Sequence, residues 1–185
     1  MNMKVWVMTN EYEGNNVGGL GVVATHLSRA LSNSNDTSVT VICKTGHTRR
    51  VAVESGESLT VVRFPRSSKY HSSARQLFHA RPIAKWMKTH GFGQPDIIHV
   101  HSIQCDDLAL YYNKKYKIPL VYTCHSLICL EPKQSNLKPM EMRQRQLLRA
   151  ANVVTAPSGW QKAMIRRSYP RYIKRIEAIP TECPL

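Results

Sequence analysis

MKVWVMTNEYEGNNVGGLG, residues 3–21, is the stretch that decides the fold. Its first part, Met3–Thr9, has the length and the apolar residue types of a strand that is buried on both faces. Beyond its glycines, apolar residues recur at helical spacing, at Val23, Leu27, Ala30 and Leu31. The Ser-, Asn- and Asp-rich residues 32–38 then end the helix. The sequence therefore predicts a strand, a glycine loop and a helix.

The glycine loop, residues 15–21, is the first candidate for a functional site. A loop that leads from a strand into a helix N-terminus presents free backbone N–H groups and a positive dipole end, which suit an anion such as a phosphate. The loop has neither the Gly-Lys-Ser/Thr of a Walker A motif nor the GxGxxG spacing. Two interpretations stay open: an anion site, or glycines that only permit a tight turn and close helix–sheet packing.

The rest of the chain repeats the alternation of strand and helix. Further strands are predicted at 39–43, 59–64, 97–101 after a turn at Pro95, 120–124, 153–156 and 176–179. Further helices are predicted at 76–88, 106–116, 139–151 and 159–168, with Ser158 as an N-cap and Pro82 within or breaking its helix. Such βαβ units predict an α/β domain: a Rossmann-like, mostly parallel sheet with helices on both faces.

Polar residues stand where several of these strands end. His101 ends one predicted strand, His125 directly follows the next, and Ser158 follows the one after that. Ligands of open α/β sheets bind outside the carboxyl ends of the strands, so His125 in particular is predicted to face a ligand. His99 is predicted to be an ordinary hydrogen-bonded polar group whose side chain points away from His101.

Composition adds a strong basic charge and few other constraints. The net charge is +14, and the stretch from Arg63 to Lys88 has seven Lys/Arg and no Asp/Glu, while that from Lys133 to Arg175 has eleven against Glu141 alone. Such a field attracts nucleotide sugars, phospholipid head groups or nucleic acid. Alternatively, it is a solvated face that keeps the protein soluble, or one half of a larger protein whose remainder is acidic.

The cysteines and the hydropathy bear on the compartment. Five cysteines without a CxxC spacing predict reduced thiols, and the spacing of the Cys and His residues argues against zinc, so no metal site is predicted. No apolar run reaches the length of a membrane span, and the N-terminus runs directly into the first strand rather than a signal peptide. We therefore expect a cytoplasmic protein.

The motifs resemble a known family in their order and separation. They are Glu11-Tyr12, Gly18-Gly19-Leu20-Gly21, Leu27-Ser28-Arg29-Ala30-Leu31, Asp96–His101, Thr123-Cys124-His125-Ser126 and Ala151–Ser158. From about Met3 to Pro180 the chain resembles the N-terminal domain of a GT-B, family-4-type glycosyltransferase related to glycogen and sucrose synthases. The resemblance implies retaining transfer of a hexosyl group from a nucleotide-diphosphate sugar to an acceptor hydroxyl, with no metal ion and no cofactor.

The resemblance also implies roles for individual residues. Gly18 and Gly19 would contact the donor diphosphate through their N–H groups, and His125 would be the catalytic residue, hydrogen-bonded to the reacting hexose. His101 and Ser158 would be secondary residues of the substrate pocket. Glu11 would meet the acceptor, although a surface carboxylate is an equally good interpretation.

The chain also departs from the family pattern. A Lys that precedes the two glycines in glycogen synthases is Val17 here, Asn152 stands at a position that is commonly Asp, and 179–183 replace the usual Pro-Asn-Gly. Residues 1–180 are expected to form the acceptor-side domain and 181–185 to begin an interdomain linker. The nucleotide-binding domain would be absent, so this half is not expected to transfer sugar by itself.

The basic stretches suggest a further partner and two rival functions. In 75–88, four cations alternate with Leu77, Phe78, Trp86 and Met87, which suggests peripheral contact with an anionic membrane or an anionic, saccharide or lipid-linked acceptor. The rivals are a stand-alone module that binds sugar or nucleotide phosphate without catalysis, and a basic nucleic-acid-binding domain. The latter is disfavoured because no RRM, KH or helix-turn-helix signature is present.

Overall fold

A computed structural model describes residues 2–15, 18–45, 49–71, 77–131, 137–172 and 175–180. These residues contain one eight-stranded sheet in the order β3-β4-β2-β1-β5-β6-β7-β8, in which every pairing is parallel except that of β3 with β4. The strands are β1 Met3–Met8, β2 Thr37–Thr45, β3 Ala52–Ser55, β4 Leu59–Pro65, β5 Ile97–Val100, β6 Leu120–Thr123, β7 Val153–Ala156 and β8 Ile176–Ala178.

Five α-helices accompany the strands in the described part of the chain. They are α1 Gly19–Ser32, α2 Ala80–Thr89, α3 Asp106–Tyr116, α4 Leu137–Ala150 and α5 Gly159–Ser168. Short 3-10 turns at Ile103–Cys105 and Ile128–Leu130 follow the ends of β5 and β6. The predicted Rossmann-like α/β fold with a mostly parallel sheet is confirmed.

The apolar residues form two cores, one on each face of the sheet. On one face α1 packs through Ala24 and Leu31 against the alternate residues Val39, Val41 and Cys43 of β2. On the other face α2, α3, α4 and α5 bury apolar residues in a larger core, among them Ile83, Leu108, Leu147 and Ile165. Strand residues alternate between the two cores because successive side chains point to opposite faces. Helices on both faces are thus also confirmed.

One strand was not predicted. Residues 52–55, for which the sequence predicts no strand, form β3, which pairs antiparallel with β4 at the edge of the sheet. Three of its four residues are exposed, including Val53 at 45%. A short, exposed edge strand buries too little to show a periodic apolar pattern, which is why the sequence gives no clear signal for it.

The helix predicted at 76–88 begins later than expected. Gln76 lies outside the described residues, and α2 begins at Ala80. Phe78 instead forms a β-bridge with His71, and its N–H donates to the carbonyl of Gln104 at 2.9 Å. Pro82 therefore lies in the first turn of α2, where a missing N–H costs no helical hydrogen bond, so that it neither breaks nor kinks the helix.

Candidate functional site

The order of the strands places a crevice between β1 and β5. The connection through α1 carries the chain from β1 to β2 on one side, whereas β5 lies on the other side of β1 and leads on to β6, β7 and β8. Such a topological switch point is where open α/β sheets bind their ligands, outside the carboxyl ends of the strands. Residues 9–11 after β1 and His101 after β5 meet there, and the N–H of His101 donates to the carbonyl of Met8 at 2.9 Å.

The glycine loop enters α1 with an open N-terminus. Gly18 is the N-cap with an extended backbone (φ −167°); α1 has no side-chain cap and no acidic residue in its first turn. A Cβ atom added at Gly18 or Gly19 would meet nothing within 4 Å. Neither the backbone conformation nor packing within the described chain therefore requires glycine at these two positions. The free N–H groups and the positive dipole end favour the anion-site interpretation.

A different glycine serves the turn itself. Gly14 has φ +78°, a left-handed conformation that glycine adopts without steric cost. The turn around it is closed by the N–H of Asn15, which donates to the carbonyl of Tyr12 at 2.8 Å. Tyr12 is buried against the α1 side of the sheet. The tight-turn interpretation thus holds for Gly14, while Val17 lies outside the described residues.

Glu11 is tied to the end of β1 and leaves one oxygen without a partner. The hydroxyl of Thr9 donates to the carbonyl of Glu11 at 2.8 Å and accepts its N–H at 3.2 Å. Among the described residues, the buried Oε2 of Glu11 and the buried Oδ1 of the adjacent Asn10 have no hydrogen-bond partner. Leaving buried acceptors unpaired is costly, so both oxygens are suited to ligand hydroxyl groups. Asn10 is a residue that the sequence analysis missed.

His101 and His125 come together at the ends of β5 and β6. His101 Nδ1 and His125 Nε2 share a hydrogen bond of 3.1 Å, and the ring centroids lie 5.3 Å apart. His101 is 2% exposed, and its Nε2 has no partner among the described residues. Strands that are neighbours in a parallel sheet bring equivalent ends side by side, which explains why two residues 24 positions apart meet.

Burial keeps this pair of imidazoles uncharged. It lowers the pKa of His125 to about 4. Burial, together with the neighbouring His99 and His125, also lowers the pKa of His101 well below its usual value. At neutral pH both rings are therefore neutral, so they can donate and accept hydrogen bonds but do not attract a diphosphate by charge.

The prediction that His99 points away from His101 is wrong. Residues two positions apart in a strand share a face, and the two ring centroids lie 4.4 Å apart. His99 is nevertheless hydrogen-bonded, as predicted: its Nε2 lies 2.7 Å from Thr123 Oγ1, which lies 2.7 Å from Thr155 Oγ1. Burial and the nearby His125 lower the pKa of His99 to about 4. A chain of polar groups thus runs across β5, β6 and β7 beside the pair.

Ser158 caps α5, as predicted. Its hydroxyl accepts the N–H of Gln161 at 3.1 Å. The buried side chain of Gln161 in turn donates to the carbonyl of Cys124, the residue before His125, at 2.5 Å. Ser158 therefore stabilises the first turn of α5, and Gln161 in that turn is hydrogen-bonded to the end of β6. Its role as a pocket residue stays a prediction.

Asn152 makes a structural hydrogen bond, and the possible metal ligands are dispersed. The amide oxygen of Asn152 accepts the N–H of Leu120 at 3.0 Å, a bond that the carboxylate of an Asp could make equally well. Within the described ranges, no group of three or more His, Cys, Asp or Glu side chains is arranged to hold a metal ion.

The apolar part of the suggested membrane surface is not at the surface. Leu77, Phe78 and Met87 are buried at 7%, 0% and 0% exposure, and Trp86 is half-buried. The apolar residues of α2 face the sheet because that is the face that the helix must bury. The cations Arg81, Lys85 and Lys88 are exposed, and Arg75 lies outside the described residues. In the parts of the chain that the structure describes, no helix has the length and apolar character needed to cross a membrane.

Comparison with solved structures identifies the architecture. Sucrose-phosphate synthase from Thermosynechococcus elongatus superposes with a TM-score of 0.71 at 15% identity, covering 98% of this chain and 49% of that one. The catalytic domain of starch synthase IV from Arabidopsis thaliana, bound to ADP and acarbose, gives 0.67 at 17% identity, over 98% and 52%. Anabaena HepE in complex with UDP and glucose gives 0.61 at 16% identity, over 98% and 45%.

These similarities show the fold, and the chain spans about half the length of the structures it matches. A search of curated protein sequences finds no match. The sequence profile of glycosyltransferase family 4 matches residues 17–181, which begin in the glycine loop and include all strands from β2 to β8. With this match over most of its length, on a Rossmann-like sheet of the GT-B type, the chain belongs to glycosyltransferase family 4.

Proposed function

We propose that the protein containing this chain transfers a hexosyl group from a nucleoside-diphosphate sugar to an acceptor hydroxyl with retention of configuration. The chain would supply the acceptor-side domain, and a second, nucleotide-binding domain would be its partner. The observation that carries the proposal is the family match over 17–181. It is supported by the position of the open helix N-terminus and the neutral histidine pair at adjacent strand ends.

The donor would approach the N-terminus of α1. Gly18 and Gly19 would contact its diphosphate through backbone N–H groups, and the lack of a side chain would let the leaving phosphate come close as its charge develops. The structural relatives contain ADP in one case and UDP with glucose in another, which supports a nucleotide-sugar donor.

His125 would be the catalytic residue, hydrogen-bonded to a hydroxyl of the reacting hexose. A neutral ring suits this task because it can both donate and accept. The bond to His101 would fix the orientation of the His125 ring, so His101 would act as a positioning residue. The unpartnered oxygens of Glu11 and Asn10 would accept hydrogen bonds from hydroxyl groups of the acceptor.

The acceptor would be a saccharide or a lipid-linked molecule. The exposed cations of α2 and the net charge of +14 would favour an anionic acceptor or peripheral contact with the inner face of an anionic membrane, for an enzyme located in the cytoplasm. Co-sedimentation with anionic vesicles at low and high salt tests the membrane contact, since binding that ignores salt would contradict it.

The function is tested on the whole protein as it is encoded in its natural gene. Incubation with UDP- and ADP-hexoses and a panel of sugar acceptors should release nucleoside diphosphate, and NMR of the product should show the anomeric configuration of the donor. The variant H125A should retain donor binding and lose most of the turnover, whereas H26A, which changes an exposed His of α1, should match the wild type.

Each alternative result has a distinct meaning. An inverted product would overturn the retaining mechanism but not the transferase assignment. Binding of nucleotide sugars without any turnover would favour the non-catalytic binding module. Failure to bind any nucleotide sugar or nucleoside diphosphate would overturn the proposal as a whole.

A further inference from the structure

The hydrogen bond inside the histidine pair couples the protons of the two rings. Both rings are neutral at neutral pH because burial lowers their pKa values, so each has one N–H and one bare nitrogen. The bond of 3.1 Å between His101 Nδ1 and His125 Nε2 uses the N–H of one ring and the bare nitrogen of the other. The remaining two, His101 Nε2 and His125 Nδ1, are named the outer nitrogens below. One of them must be an N–H and the other bare, so they always take opposite roles.

The two outer nitrogens lie in different surroundings. His101 Nε2 is buried in a side chain that is 2% exposed, and it has no hydrogen-bond partner among the described residues. The neighbouring His99 does not serve as one, because its Nε2 bonds to Thr123 Oγ1 at 2.7 Å. His125 is only half-buried, and its Nδ1 is open to solvent and unbonded within the described chain. Before a substrate binds, water can therefore reach the outer nitrogen of His125 but not that of His101.

This difference selects one of the two proton arrangements. A proton on His101 Nε2 would form an N–H that is buried without an acceptor in the described chain, and orphaned buried N–H groups are rarer than unpaired acceptors. A proton on His125 Nδ1 can be donated to water instead. The geometry therefore favours the arrangement in which each ring carries its proton on Nδ1, so that His101 donates to His125 within the pair and leaves its own Nε2 bare.

We propose that the pair binds two hydroxyl groups of its substrate in this fixed sense: His125 Nδ1–H donates to one hydroxyl oxygen, and the bare His101 Nε2 accepts a hydrogen bond from the other. In the glycosyl transfer proposed above, on which this step rests, both hydroxyl groups belong to the reacting hexose. His101 then contacts the substrate directly, in addition to orienting His125, and its buried nitrogen gains a partner when the hexose binds. A fluorine or an ether oxygen cannot donate, so the pair selects for a free hydroxyl group beside His101.

The positions of the protons are tested by NMR of the whole protein, labelled with ¹⁵N in its histidines. Long-range ¹H–¹⁵N correlation spectra distinguish an N–H from a bare ring nitrogen, and they are recorded at about pH 8, above the ordinary pKa of histidine. The variants H101N and H125N assign the signals of the pair by their loss. A histidine in water favours the proton on Nε2, as the exposed His26 should, whereas His101 and His125 should both carry it on Nδ1.

The contact with the hexose is tested by adding UDP-glucose or ADP-glucose, with UDP and ADP as counterparts that lack the sugar. The signal of the bare His101 Nε2 should shift to lower frequency with the nucleotide sugar but not with the nucleotide alone, because only the sugar donates a hydrogen bond to it. In H101N no group replaces Nε2, so the affinity for the nucleotide sugar relative to the nucleotide should fall about tenfold. Calorimetric titration measures this ratio, and circular dichroism shows that the variant retains the fold.

The outcomes separate this inference from the proposed function. A proton on His101 Nε2 in the ligand-free protein overturns the inference, and so does a His101 signal that the sugar leaves unchanged or a wild-type affinity ratio in H101N. None of these results contradicts glycosyl transfer. Failure of every nucleotide and nucleotide sugar to bind overturns the proposed function and the hexose contact with it, whereas the spectra of the free protein still decide whether the two rings are coupled in the sense described.

Discussion

The two halves of the carboxyl edge of the sheet are built in different ways. At β1 and α1 the candidate site consists of backbone: Gly18 and Gly19 begin α1 without a side-chain cap, and a Cβ atom added to either would meet nothing within 4 Å. At β5 and β6 the candidate site consists of side chains that are hydrogen-bonded to one another: His101 to His125, and His99 to Thr123.

Because of this difference, we expect substitutions in the histidine pair to affect stability and substitutions in the glycine loop to affect mainly ligand binding. An imidazole that is buried and bonded within the chain contributes to folding as well as to any chemistry. A glycine whose Cβ would meet open space contributes little to folding, so its effect should appear only when a ligand is present.

The largest effect is expected for H125A in the whole enzyme. We expect kcat to fall by about 10²- to 10³-fold, because a hydrogen bond to the reacting hexose that strengthens in the transition state would be lost. Urea denaturation should also show a loss of stability, since His101 loses its partner in a buried position. Wild-type kcat in H125A would show that the pair is structural only.

The glycine loop should behave in the opposite way. We expect G19A to change the free energy of unfolding by no more than about 0.5 kcal/mol, and both G18A and G19A to weaken binding of the donor diphosphate roughly tenfold because a methyl group blocks its approach. G18A should also destabilise the protein somewhat, because Gly18 is the N-cap of α1 and alanine is a poorer N-cap than glycine. Calorimetric titration with UDP and ADP and urea denaturation measure the two effects.

The matched control for the loop is G14A. Gly14 has φ +78°, so alanine there should destabilise the fold by about 1 kcal/mol or more without a direct effect on the diphosphate. If G19A destabilises the protein as much as G14A does, the glycine at 19 serves the turn, and the comparison between the two halves of the edge fails.

The buried histidines at the ends of β5 and β6 should also make the free energy of unfolding depend on pH. The pKa values of His99 and His125 are about 4 in the folded protein, below the ordinary 6.5. Between these values the unfolded chain binds protons that the folded chain does not. The stabilisation is therefore complete above about pH 6.5 and is lost progressively as the pH falls toward 4.

A single substitution measures the share of one ring in this dependence. H125N should reduce the loss of stability between pH 7 and pH 5 by about 1 to 2 kcal/mol in urea denaturation. Because the pKa of the buried His71 is also about 4, part of the pH dependence should survive in H125N. Identical curves for H125N and wild type would show that His125 titrates normally.

Most of the fold could be predicted from the sequence because its strands and helices follow clear periodicities. The helix Asp106–Tyr116 and the strand Val153–Ala156 were predicted with the bounds that the structure shows. The edge strand β3 could not be predicted because it buries few residues. The start of α2 was predicted too early because Leu77 and Phe78 are apolar and fit a helical pattern, although they are buried from a segment that precedes the helix.

Of the candidate site, the sequence could indicate mainly the residues that stand at the ends of predicted strands. His101 and His125 were placed correctly because both follow buried strands, but their mutual bond depends on which strands are neighbours, and a single sequence does not give that order. The unpartnered oxygens of Asn10 and Glu11 depend on burial in three dimensions, which a single sequence does not reveal. The roles of Gly18, Gly19, Glu11, His101, His125 and Ser158 in substrate binding and catalysis remain predictions.

The smallest expected effect separates the two roles suggested for Ser158. S158A should cost about 1 kcal/mol of stability because the N–H of Gln161 loses its acceptor, and S158D should restore it because Asp is an equally good N-cap. If Ser158 acts only through α5, turnover should follow stability in both variants. If its hydroxyl also contacts the substrate, S158D should recover the stability but not the kcat/KM, because a carboxylate cannot donate the hydrogen bond of a hydroxyl. Urea denaturation and steady-state kinetics of the two variants therefore show whether the substrate site includes Ser158, after β7, as well as the histidines after β5 and β6.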